Sequence, residues 1–272
     1  ERGAVVCTVR RLIAVLCLGG ACVLVPRTMA ALHPAGLLEE YRYETWEEAE
    51  GLPHYSINGI VQGPEGYLWL ATYYGVVRFD GAKFVVFDRL NTPQLPANQT
   101  WCLAVDRQGV LWIGASGGLV AQENGAFRTV PLPGLGSGSV RALHATPDGE
   151  LWIGTSTSGA FLLRGGELSH VGPPGAAVRS LWKDRRGDVW IGTHSGLLCY
   201  RGGRFLRYAQ EHGLPDPRVL SLYENQGGVL LIGTAAGLAR LRDGKITGDA
   251  EPRFRGKTVW TLAGDRHGAC WI

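Results

Sequence analysis

The 272-residue sequence lacks the residue patterns on which most catalytic and nucleic-acid-binding proteins rely. Its seven histidines, at 33, 54, 144, 170, 194, 212 and 267, never fall into HxH or HExxH spacing, so no metal site is expected. No CxxC occurs, which removes zinc ribbons and thioredoxin-like redox chemistry. Cys7, Cys17 and Cys22 lie in or beside the first 30 residues, and Cys102, Cys199 and Cys270 stand far apart, as expected of buried free thiols. No serine sits in a G-x-S-x-G turn, and the glycine pairs are not followed by a helical pattern that would cradle phosphate. Turn aspartates such as Asp80, Asp106, Asp184 and Asp265 match no calcium loop and are read as caps of local backbone. This stretch is therefore not expected to be an enzyme or to carry a cofactor.

Charge of one sign is also missing from the body. Residues 1–30 hold four of the 27 Lys and Arg and one of the 24 acidic residues, which leaves the remainder balanced. With no basic run, there is no electrostatic reason to expect nucleic-acid binding. The one sizeable hydrophobic run is the 14 residues Leu12–Val25, short of the ~20 needed to span a bilayer as a helix. Arg10-Arg11 precede it and Pro26 and Thr28-Met29-Ala30-Ala31 follow, the order of a signal peptide cleaved after Ala30. An uncleaved N-terminal anchor is the alternative. Residues 1–30 are thus assigned to export, 31–56 to a lead-in, and 57–272 to the folded repeats.

What is abundant is glycine, 40 residues, and it recurs in register. Gly66-Tyr-Leu-Trp-Leu-Ala-Thr72, Gly109-Val-Leu-Trp-Ile-Gly-Ala115, Gly149-Glu-Leu-Trp-Ile-Gly-Thr155, Gly187-Asp-Val-Trp-Ile-Gly-Thr193 and Gly228-Val-Leu-Leu-Ile-Gly-Thr234 repeat one another. A sixth copy starts at Gly268-Ala-Cys-Trp-Ile272. Trp69, Trp112, Trp152, Trp190, Leu231 and Trp271 share one position, at spacings of 43, 40, 38, 41 and 40. Nine residues before each stands Ile60, Leu103, Leu143, Leu181, Leu222 or Leu262. Three residues earlier come Ile57, Val140, Val178, Val219 and Val259, with Thr100 the exception. A third strand opens at Gly75, Gly118, Gly159, Gly196 or Gly237. It ends in Asp80-Gly81, Asn124-Gly125, Gly165-Gly166, Gly202-Gly203 or Asp243-Gly244, pairs that accept the positive φ of a two-residue hairpin. A fourth strand follows, as at Lys83–Asp88 or Arg204–Ala209.

Four antiparallel strands in about 40 residues make one blade of an all-β propeller. Five complete blades and the start of a sixth are expected, with seven in the full protein. The shared tryptophan position is read as core, since a four-stranded sheet must be covered by its neighbours. Leu37–Glu50 has helix-favouring composition, yet a strand around Tyr41–Trp46 is favoured as the outer strand of the closing blade.

The motif D-x-x-G-x-L-W-I-G-T, followed by G-L and a closing glycine pair, resembles the two-component regulator propeller repeat. Its best copies here are Asp184–Leu197 and Asp148–Thr155, and the resemblance covers about residues 41–272. Ala71, Ala115 and Leu231 depart from the pattern. The resemblance implies a periplasmic sensor of ligands, most often in a histidine kinase, whose output domains would lie beyond Ile272 of a longer chain anchored downstream. A diguanylate cyclase sensor, a secreted propeller enzyme and an interaction scaffold are the alternatives. The partners implied are a small molecule or oligosaccharide, the signalling domains of the same chain, and a second copy of it.

Strand order places the loops between blades and those between second and third strands on one face. The variable loops lie there, and variable loops on a rigid scaffold tend to carry function. The expected ligand face comprises His54, Tyr55, Tyr73, Tyr74, Asn98, Gln99, Thr157, Ser158, His194 and Ser195. Arg141, Arg179 and Arg218 begin first strands near it and are read as solvated or structural, with anion binding the second reading. Five blades leave free edges, so residues 31–272 alone are expected to aggregate or to be unstable. A monodisperse, cooperatively melting preparation of that segment would contradict this.

Overall fold

The computed structural model describes residues 45–46, 50–248, 251–265 and 268–272. The leader and most of the segment 37–50, including the strand expected around Tyr41–Trp46 apart from Thr45 and Trp46, lie outside the described residues. Blade 1 contains β1 (Ile57–Gln62), β2 (Leu68–Thr72), β3 (Gly75–Phe79) and β4 (Phe84–Phe87). Blade 2 contains β5 (Thr100–Val105), β6 (Leu111–Ala115), β7 (Gly118–Glu123) and β8 (Ala126–Val130). Blade 3 follows with β9 (Val140–Ala145), β10 (Glu150–Thr155), β11 (Ala160–Arg164) and β12 (Glu167–Gly172). Blade 4 has β13 (Val178–Lys183), β14 (Val189–Thr193), β15 (Gly196–Arg201) and β16 (Arg204–Tyr208). Blade 5 has β17 (Val219–Glu224), β18 (Leu230–Thr234), β19 (Gly237–Arg242) and β20 (Lys245–Thr247). A two-stranded sheet of β21 (Ala263–Gly264) and β22 (Cys270–Trp271) opens the sixth unit. Each blade is an antiparallel meander, and the first strands of successive blades lie side by side. The chain is a β-propeller.

The glycine pairs form the expected outer hairpins, with both residues at positive φ in Asn124-Gly125, Gly165-Gly166, Gly202-Gly203 and Asp243-Gly244. Blade 1 differs. There only Gly81 of the pair has positive φ, and the Asp80 carboxylate instead accepts the backbone N–H groups of Ala82 and Lys83 at 2.8 and 2.7 Å.

Packing runs from each tryptophan to the next blade. Trp69 clusters with Leu103, Leu111 and Ile113, Trp112 with Leu151 and Ile153, and Trp152 with Leu181, Val189 and Ile191. Trp190 clusters with Leu222, Leu230 and Ile232, and Leu231 with Val259 and Leu262. These five residues are at most 7% exposed. Each indole buries roughly 200 Å² of surface, a gross contribution of about 5 kcal/mol per seam before conformational entropy is counted. Trp271 departs from the expected core role and is 44% exposed, because its short sheet has no further blade packed over it among the described residues.

The glycine of W-I-G-T has a steric reason. A Cβ on Gly154 would land on Val178 Cγ1, the first residue of blade 4, and Gly114, Gly192 and Gly233 face Val140, Val219 and Val259 in the same way. The exceptions coincide. Ala71 replaces this glycine only where Thr100 replaces the valine, and Thr100 Oγ1 bonds to the Thr72 backbone across the seam.

The D-x-x-G turns do more than cap backbone. Asp184 Oδ1 accepts the N–H groups of Arg186 and Asp188, while Oδ2 accepts the Trp190 indole N–H at 2.8 Å. Asp106 holds Gln108, Val110 and Trp112 in the same manner. Blade 5 keeps the turn with Asn225, whose side chain accepts from Gly227 and Val229, and has Leu231 where no indole needs an acceptor. In blade 3 Thr146 stands at this position, six residues before Trp152, and its hydroxyl bonds the Glu150 backbone. Buried Glu150 accepts the Trp152 indole at 2.9 Å and is paired with Arg164 and Lys183; Asp148 instead binds Lys183 at 2.7 Å. Lys183 belongs to blade 4, so this network ties two blades at the face opposite the expected ligand loops.

His144, on β9, packs against Trp182 with ring centroids 5.0 Å apart. Burial, reinforced by Lys183 and opposed by Asp148, lowers its pKa from 6.5 to about 4.

Gly154→Ala is expected to destabilise the protein by about 1–3 kcal/mol through this overpacking, read from urea denaturation. The unfolded chain protonates His144 more readily than the folded one, so its contribution is complete above pH 6.5 and drains as pH falls toward 4. Stability should fall by up to about 3 kcal/mol across that window, and His144→Leu should flatten the dependence measured by urea midpoints.

Candidate functional site

The threonine that ends each second strand shapes the turn above it. Thr72, Thr155, Thr193 and Thr234 are buried and donate to the carbonyls of Gly75, Gly159, Gly196 and Gly237 at 2.8–2.9 Å. The same hydroxyls accept backbone N–H groups of Tyr74, Ser158, Ser195 and Ala236. Tyr73-Tyr74, Thr157-Ser158 and His194-Ser195 are therefore presented by rigid turns.

At blades 1 and 2 the expected residues converge. His54 stacks on Tyr55 with centroids 4.3 Å apart, and meets Tyr73 and Tyr74 edge-on at 5.4 and 5.1 Å. Its Nδ1 accepts the Ser56 backbone N–H at 2.9 Å, which leaves the neutral ring's proton on Nε2. Tyr73 continues the row edge-on to Trp101 at 5.2 Å. The Trp101 indole donates to Ser116 Oγ at 2.9 Å, and Ser116 in turn donates to Gln99 at 3.3 Å. Tyr55 and Tyr74 remain 64% and 57% exposed, so the row offers open ring surface.

Other expected residues have local partners instead. Asn98 Oδ1 accepts the Arg89 N–H, Ser158 Oγ donates to the Gly134 carbonyl, and Thr157 Oγ1 lies 3.5 Å from Ser158 Oγ. Ser195 Oγ lies 3.3 Å from Thr193 Oγ1, and its carbonyl accepts from Arg207. Arg218 is clasped by Asp216 at 2.9 and 3.0 Å.

Alongside lies a row of residues of which the sequence reading names only Arg141 and Arg179. In β1, β5, β9, β13 and β17 the pairing with the second strand skips one residue, respectively Asn58, Trp101, Arg141, Arg179 and Leu220. Such a bulge re-aims the side chain out of the sheet. The signal was present in the sequence, because shared positions such as Val178 and Leu181 are both buried yet three apart. A strand alternates with period two, so an odd spacing requires an extra residue.

Positive charge gathers on this row. Arg141 lies 3.4 Å above the Trp101 ring, and its buried Nε has no hydrogen-bond partner. Its pKa is lowered by burial and by neighbouring Arg179. His194 is lowered too, first by burial and then by Arg179, Arg218 and Arg141, so it is held neutral beside the guanidiniums. Cys102 beneath them is pushed up by burial and is no nucleophile at neutral pH. The arrangement fits recognition of a ligand by stacking and charge.

Residues 51–74, 94–117 and 134–157 match the family described as the two component regulator propeller. The chain carries two-component regulator propeller repeats. Each matched window runs from an inter-blade loop through the first two strands to the turn above them, so these repeats are the unit that builds the face. No curated protein matches the chain. Among solved structures, the chain is similar to the extracellular domain of BT4673 from B. thetaiotaomicron, named as a one component system. Identity is 19% and the TM-score 0.57, over 85% of this chain and 40% of that one. It is also similar to virginiamycin B lyase from Staphylococcus aureus, 13% identical with a TM-score of 0.63, over 79% and 76% of the two chains. PorZ, a surface component of the type-IX secretion system of Porphyromonas gingivalis, is 14% identical with a TM-score of 0.59, over 77% and 36%. The likeness is one of fold, and the chain spans about 40% of the length of the BT4673 domain.

Proposed function

We propose that this propeller is the extracytoplasmic ligand-sensing part of a signal-transducing protein, with histidine kinase output carried elsewhere in the same polypeptide. The observation that carries the reading is the aromatic row His54, Tyr55, Tyr73, Tyr74 and Trp101, drawn from three separate stretches of sequence onto one face. Core packing does not account for it, because Tyr55 and Tyr74 are largely exposed. Exposed aromatic rings on rigid turns stack on sugars and planar molecules, which fits a small molecule or oligosaccharide as the signal. Gln99 and His194 are the polar contacts at its margins, whereas Asn98, Thr157, Ser158 and Ser195 shape the loops that present it. The propeller's repeats, shared with the regulator family, support a sensor, and the apolar leader supports export. A membrane anchor downstream would bring the bound state to the output domain; a diguanylate cyclase there would use the same ligand face.

Replacing Tyr73 and Tyr74 together with alanine in the full-length protein should weaken the ligand response roughly 10-fold or more, read as the inducer concentration needed for half-maximal reporter output. An unchanged dose response would reject this face as the sensing surface.

A further inference from the structure

The two arginines on neighbouring bulges have no counter-charge among the described residues. Arg141 makes no hydrogen bond through its buried Nε, and Arg179 makes no side-chain hydrogen bond or ion pair with any described residue. The groups whose charges reach Arg141 are Arg179, Tyr73 and Cys102, with no carboxylate among them. Several other described arginines are paired, among them Arg201 with Asp188, Arg218 with Asp216 and Arg240 with Glu251. Two adjacent unpaired guanidiniums beside a low-dielectric aromatic wall repel each other and leave several N–H donors unused, an arrangement that an anion would relieve. Guanidinium groups present planar donor forks that match the oxygens of carboxylate, sulfate and phosphate.

We infer that Arg141 and Arg179 form an oxyanion-binding subsite on the face of the inter-blade loops, taking the anionic group of a small ligand whose remaining atoms lie along the Tyr73–Trp101 surface. Two features shape it. The Trp101 ring lies 3.4 Å from the Arg141 guanidinium and restrains it, and the bulge aims both side chains away from their sheets. His194, uncharged beside them, adds a ring nitrogen able to donate to the same oxygens. The inference deepens the sensing role by naming the chemistry of the signal, and as a binding event it is read separately from signalling output.

The test is a titration of the full chain with sodium sulfate at constant ionic strength balanced by sodium chloride, followed through arginine Nε–H NMR signals and melting temperature. Saturable shifts of two arginine signals are expected. Arg141→Gln and Arg179→Gln should each weaken sulfate binding roughly 10-fold or more, while Arg218→Gln, which removes a paired arginine from the same face, should not. Arg179→Gln removes a like-charge neighbour, so its melting temperature in chloride should be unchanged or higher; a marked fall would show that Arg179 has a structural role and would overturn the inference. Arg179→Lys keeps the charge but loses the fork, and should bind sulfate with intermediate affinity. Absence of saturable binding, or an equal response in all these variants, would also overturn it. Parallel titrations with acetate and inorganic phosphate identify the preferred oxyanion. The reporter response of the Tyr73/Tyr74 variant reads the sensing role separately, so either idea can fail alone.

Discussion

A four-stranded antiparallel sheet has two apolar faces and no means of covering either, so everything in this molecule depends on the seam between blades. Trp69, Trp112, Trp152 and Trp190 fill that seam from one side, and a Leu-x-Ile or Val-x-Ile pair from the next blade fills it from the other. The seam closes only because the neighbouring backbone carries glycine where the next valine arrives. Ala71 and Thr100 show how tightly the two positions are linked, since the larger residue in one strand coincides with a changed partner in the next. Burial of this kind is non-directional in itself, and the glycine notch gives it a fixed register.

The seam also explains why the two faces of the propeller differ. On one face, the turn carboxylates are spent on holding indoles and backbone, as with Asp106 and Asp184, and Glu150 is saturated by Trp152, Lys183 and Arg164. On the other, threonines ending the second strands tie up the backbone of the turns and leave the Tyr74 ring open to solvent. Polar groups that are satisfied internally are poor ligand contacts; unsatisfied ones, such as the Arg141 guanidinium, are good ones. The free face can change its side chains with little consequence for the seams below.

Most of the architecture was readable because a repeat reports on itself. Blade limits, the outer glycine hairpins and the core role of the shared tryptophan all follow from residue type at fixed spacing, and the strands lie within a residue or two of where that spacing put them. One reading failed for a local reason. Trp271 shares the sequence position of a core residue without the neighbouring blade that would bury it.

The sequence by itself therefore determined the unit: its strands, its turns and which positions must be covered, because those depend on short-range backbone preferences and on apolar period. It also placed the candidate loops on one face. Which of those side chains meet was decided only by the packing of blades around the axis. That packing brings His54, Tyr73 and Trp101 together across nearly fifty residues while giving Asn98, Ser158 and Ser195 partners of their own. The bulge that lifts Trp101, Arg141 and Arg179 out of their strands left a trace in the odd spacing of buried positions. Its consequence, two neighbouring cations with no acid paired to either among the described residues, arises between strands of different blades, where no local pattern reaches.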